Sequence, residues 1–120
     1  MSDAVVDQAP IPSDPEDLKL ITLARAALAR TTAAQGACVR DTDGRSYASV
    51  SVELAHLKLS AVAVAVAMAV SSGATGLEAV AVAGKPPSEQ DFDVMRDLSD
   101  SNVAVWSVDS AGDVLEVSQL

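Results

Sequence analysis

The run Ala61-Val62-Ala63-Val64-Ala65-Val66-Ala67-Met68-Ala69-Val70 carries no charged or hydrogen-bonding side chain. No other stretch constrains the fold as strongly. Ten such residues are about half of the ~20 that a bilayer-crossing helix needs, and extending the run backwards meets Ser60, Lys58 and His56. It therefore belongs to a folded core. The alternation of Ala and Val has the two-residue period of a strand, and valine favours strands. Against this, the apolar pattern begins earlier, at Leu54, Leu57 and Leu59, and alanine is the best helix former. Ser71-Ser72-Gly73 also closes the run as helices close. The balance predicts a helix over 59–71 that is apolar on nearly every face, hence central and buried.

The other segments supply the partners of this helix. Residues 1–15 hold Pro10, Pro12 and Pro15 among Asp3, Asp7 and Asp14, with no apolar period, and read as a flexible leader before a single domain over 16–120. Ser13-Asp14-Pro15-Glu16-Asp17 has the signature of a helix start: a capping residue, a first-turn proline and acids near the positive end. Leu18, Ile21, Ala24, Ala27 and Leu28 continue that helix to about Arg30. Segments 36–40 and 46–52 flank Asp41-Thr42-Asp43-Gly44 and read as a β-hairpin. Segment 77–83 reads as a buried strand. Ser88 caps a helix running to about Leu98, 103–108 is a further strand, and 114–117 an edge strand after the turn Ser110-Ala111-Gly112. Strands interleaved with helices in this order predict an α/β fold, a three-layer α/β/α sandwich with a mixed sheet of about five strands.

Charge then narrows the partners. Lys+Arg is 8 against Asp+Glu 17, for a formal net charge of −9. The basic residues are dispersed, so duplex nucleic acid and an anionic membrane surface are not expected partners. The 120-residue chain has only 2% aromatics (Tyr47, Phe92 and Trp106), so its core must be built from Ala, Val and Leu. No basic and apolar leader of the secretory kind is present, and a cytoplasmic protein is expected.

Few residues offer chemistry. His56 is the single histidine; it is a potential base or ligand, against the plainer reading of a partly exposed residue ahead of a helix. Cys38 is the single cysteine, and in a central strand it reads as a structural thiol rather than a nucleophile. No nucleophile elbow of the G-x-S-x-G type and no phosphate-binding glycine loop occurs. Glu89, Asp91 and Asp93 suit a solvated helix N-terminus better than a cation site. Glu53 falls at the end of the second strand of the hairpin, where a carboxylate either accepts from sugar hydroxyls or stays solvated.

The order of the elements and two local strings resemble the cytidine deaminase family over roughly 16–108. Gly36-Ala37-Cys38-Val39-Arg40-Asp41-Thr42-Asp43-Gly44-Arg45-Ser46-Tyr47 is similar to that family's V-G-A-A-x-x-x-x-D-G-x-x-Y. Ser51-Val52-Glu53-Leu54-Ala55-His56-Leu57-Lys58-Leu59-Ser60 is similar to its N-x-E-N-A-x-x-x-L-T. The family continues with C-A-E opening one helix and P-C-x-x-C opening another, the latter beginning here at Pro87. The aromatic that the family has before Gly36 is missing, with Ala33 in that stretch.

In that family a zinc ion held by three Cys, or by His and two Cys, activates a water while a Glu shuttles protons. Carried over, the first ligand position is Val62, the proton-shuttle position Val64, and the two ligands after the proline Ser88 and Asp91. None supplies a thiolate or an imidazole, and neutral serine is a poor zinc ligand. Of the ribose contacts Glu53 remains, with Ser51 in place of the accompanying Asn. The resemblance thus implies a degenerate, zinc-free member without cofactor or catalytic residues, acting as a binding or scaffolding module. A nucleoside ligand is carried by Ser51 and Glu53 alone. The family's assemblies imply a homo-oligomer, a dimer or tetramer, for which the Ala-rich helix is suited. A second reading keeps nucleoside deamination, with Glu53 on the ribose and His56 or Asp91 handling protons. A third is an unrelated small α/β regulatory module.

Overall fold

Capping chemistry sets where the helices begin in the computed structural model, which describes residues 11–99 and 102–120. Helix α1 (Pro15–Ala29) opens on Asp14, whose side chain accepts from the Glu16 N–H at 2.9 Å, with Pro15 in the first turn. Ser60 opens α2 (Ala61–Ser71) by accepting from the Ala63 N–H at 3.0 Å. Ser88 opens α3 (Glu89–Leu98). The first ten residues of the expected leader lie outside the described residues.

The strands are β1 (Gln35–Asp41), β2 (Ser46–Val50), β3 (Val52–Glu53), β4 (Lys58–Leu59), β5 (Leu77–Gly84), β6 (Ala104–Val108) and β7 (Val114–Gln119). Five form one sheet in the order β2-β1-β5-β6-β7. Only the β5–β6 pair is parallel, joined by a crossover through α3, so the sheet is mixed. The β1–β2 turn uses Gly44 at φ +85°, a left-handed conformation that glycine adopts freely. Asp41, fully buried, accepts from the Asp43 and Arg45 N–H groups and from the Tyr47 hydroxyl, each at 2.9 Å. Burial works to raise its pKa, but these donors outweigh burial and hold it below the usual carboxylate range.

Side-chain size divides the two faces of the sheet. Ala79, Ala81 and Ala83 of β5 join Cys38 of β1 against Leu20, Ile21 and Ala24 of α1. The alternate residues Val80, Val82, Ala37 and Val39 meet Val62, Ala65 and Met95 of α2 and α3. Small residues bring α1 close to the sheet: a Cβ on Gly36 would lie 2.5 Å from the Ala24 carbonyl oxygen. The result is the expected three-layer sandwich, with α1 on one face and α2 and α3 on the other.

Two expectations about the central helix need correction. The central apolar helix begins at Ala61, not Leu59, because Lys58–Leu59 pair with Val52–Glu53 in a separate two-stranded ribbon and Ser60 takes the cap. Nor is that helix buried all round. It packs on the sheet through Ala61, Val62, Ala65, Val66 and Ala69, whereas Ala67, Met68 and Val70 are exposed. Among the described residues no helix is long and apolar enough to cross a membrane.

Candidate functional site

The carboxyl ends of β2 and β5 and the N-termini of α2 and α3 meet at one end of the sheet, around a cavity of about 250 Å³. Clefts outside strand carboxyl ends are where α/β sheets place ligands, because loops there converge from several elements. Ser51 and Glu53 reach the cavity from the segment after β2, and Lys58 and Ser60 from the stretch leading into α2. Lys85, Ser88 and Asp91 reach it from the β5–α3 connection and the start of α3. Glu53 does not end β2 as expected. The strand stops at Val50, and Glu53 sits exposed on β3 with Lys58 opposite it in register. Among the described residues its carboxylate makes no hydrogen bond or ion pair, which leaves it available to a ligand. Ser51 is engaged with β1: its hydroxyl accepts from the Gln35 N–H at 3.3 Å, and its own N–H donates to the Gln35 carbonyl at 2.9 Å.

The four positions carried over as zinc and proton-shuttle sites divide. Ser88 and Asp91 line the cavity, whereas Val62 and Val64 do not. Val62 is fully buried in the core between α2 and the sheet, and Val64 is half-buried. Ser88 and Asp91 bind each other: the Ser88 hydroxyl accepts from the Asp91 N–H at 3.1 Å, and Asp91 Oδ2 accepts from the Ser88 N–H at 3.0 Å. This is a reciprocal capping box, which satisfies two backbone donors that a helix start leaves open.

This donor set does not fit a zinc ion. Valine has no ligating atom, the serine hydroxyl and one carboxylate oxygen are committed to the cap, and a catalytic zinc needs three protein donors beside its water. Among the described residues no group of three or more His, Cys, Asp and Glu side chains is placed to hold a metal. His56 is exposed on the turn joining β3 to β4 and does not line the cavity. Cys38 is buried on the α1 face of the sheet, and burial pushes its thiol up to about 11, so it is un-ionised at neutral pH. Of the acidic trio, Asp91 is buried in its cap, while Glu89 and Asp93 are exposed, the latter paired with Arg96 at 3.0 Å.

The sequence reading missed Gln35, Lys58 and Lys85 as cavity residues. The lysines carry no local signal. Gln35 carries one, because it stands directly before Gly36, where the family string V-G-A-A has valine.

Comparison with known proteins agrees with this architecture. None of the curated proteins matches the chain. The cytidine deaminase from Burkholderia pseudomallei is similar in structure with a TM-score of 0.74 at 28% identity, over 84% of this chain and 90% of that one. The cytidine deaminase from Mycobacterium leprae is similar with a TM-score of 0.70 at 20% identity, over 88% and 94% of the two chains. The family model described as cytidine deaminase-like matches residues 13–112. With that span covering most of the fold just described, the chain belongs to the cytidine deaminase-like family.

Proposed function

We propose that this chain is a catalytically degenerate, zinc-free cytidine deaminase-like protein that acts as a binding or scaffolding module. The capping box of Ser88 and Asp91 is the observation that carries the reading: side chains at two ligand positions serve the helix instead. With Val62 in the core and valine at position 64, the family's first zinc ligand and its proton shuttle are both replaced by side chains that can neither ligate nor carry a proton.

The free carboxylate of Glu53 at the cavity favours retained nucleoside binding through the ribose hydroxyls, with Ser51 beside it. Cytidine or deoxycytidine at 100 times its dissociation constant should add ~2.7 kcal/mol to stability and raise Tm, without release of uridine. Glu53→Ala should abolish the rise. If no nucleoside moves Tm, the binding half of the proposal is wrong. Uridine formation would instead establish the divergent deaminase.

The proposal includes self-association. The outer face of α2 has no charged side chain and exposes Met68 and Val70, and Leu54, Leu57 and Leu59 are exposed on the neighbouring ribbon. Exposed apolar side chains that gather into one patch mark interaction sites. Light scattering at micromolar concentration should report a dimer or tetramer; a clean monomer would refute this part.

A further inference from the structure

Gln35, at the start of β1, is 3% exposed, and its carboxamide spans the floor of the cavity between two helix starts. Its Oε1 accepts from the N–H of Ala61, the first residue of α2, at 2.9 Å. Its Nε2 donates to the carbonyl of Lys85 at 3.0 Å and, more weakly, to that of Pro86 at 3.5 Å, in the connection leading to α3. An amide is the side chain this position calls for, because it presents an acceptor to an N–H on one side and donors to carbonyls on the other. Valine would leave both sides unpaired, and a carboxylate would oppose the two carbonyls.

We infer that Gln35 is a positioning residue: its carboxamide ties the start of α2 to the approach of α3 and sets the shape of the cavity. The tie does not depend on the zinc-free reading above. In the buried setting of these bonds water cannot replace a lost partner, so removing the amide frees both segments.

Hydrogen exchange by mass spectrometry on the full chain tests the tie. Gln35→Val should speed exchange about tenfold or more in peptides covering 58–64 and 84–91, leaving β6 and β7 near the wild-type rate. A uniform change along the chain, or none, would overturn the inference. Gln35→Glu gives an independent check if the valine variant folds poorly. The carboxyl group of that variant can still donate to the Lys85 carbonyl when protonated and cannot when ionised, so the folded state favours its protonated form. Comparison with wild type at each pH removes the effect that Glu53, Lys58, Lys85 and Asp91 around the cavity have in both proteins, and Tm should match near pH ~4 and fall behind as pH rises above the usual glutamate range. A Tm difference independent of pH would contradict the tie. Zinc found in the protein would overturn the zinc-free reading and leave the tie standing, whereas unchanged exchange at both segments would do the reverse.

Discussion

Asp17→Ala is expected to cost about 3 kcal/mol of folding stability, roughly 10 °C in Tm for a domain of this size. Asp17, in the first turn of α1, accepts from Arg40 Nη2 at 2.9 Å and from the Trp106 indole N–H at 3.3 Å. Arg40 lies on β1 and is 7% exposed, and its Nε donates to Glu78 at 2.7 Å. Burial alone would lower the Arg40 pKa, but hydrogen bonds to Glu78 and Asp17 outweigh burial and raise it. Its remaining nitrogen, Nη1, is buried without a partner among the described residues. Removing Asp17 therefore leaves a second guanidinium nitrogen without its partner, and Glu78 is half-exposed, so its contribution is screened. The double variant Asp17→Ala with Arg40→Met removes the stranded charge and should recover most of the loss. Equilibrium denaturation of the three proteins checks this. An Asp17→Ala cost below about 1 kcal/mol would place the cluster with ordinary surface ion pairs.

Gly36→Ala should be comparably severe, for a steric reason. The added methyl would meet the Ala24 carbonyl oxygen at 2.5 Å, Leu28 Cβ at 2.9 Å and Leu28 N at 3.2 Å. Two of these atoms are α1 backbone, so the helix must move off the sheet instead of a side chain rotating. Overpacking of this kind costs about 1–3 kcal/mol, and a backbone clash belongs at the upper end. Gly76→Ala is the control, because its nearest neighbour is the Thr42 methyl at 3.0 Å, a side-chain atom that can adjust. Thermal unfolding should show a Tm loss at position 36 several times that at 76. Equal losses would mean that α1 is not seated as closely as the geometry requires.

How much of this was legible from the sequence depends on how far each determinant reaches along the chain. Helix starts at Asp14 and Ser88 depend on contacts within four residues, and both were readable. The hairpin was readable too, since Asp41 organises its own turn. The start of α2 was misplaced because Leu59 continues the apolar pattern. Its pairing with Val52 is a cross-strand contact with no trace in the local composition. The exposed face of α2 was misread for a related reason: an uncharged helix looks buried all round, and only tertiary packing shows which side the sheet covers. Glu53 and Ser51 do reach the cavity, by way of a separate ribbon instead of the end of β2. Gln35 escaped notice because its partners, Ala61 and Lys85, lie 26 and 50 residues away.

The replacement of a zinc centre by a capping box is the central claim, and metal content tests it most directly. Elemental analysis of the protein, purified without a metal-affinity resin or chelator, should find zinc far below one equivalent per chain, and added zinc should leave Tm unchanged. Near one zinc per chain would contradict the account and make a hydrolytic deaminase with a different ligand set the leading explanation.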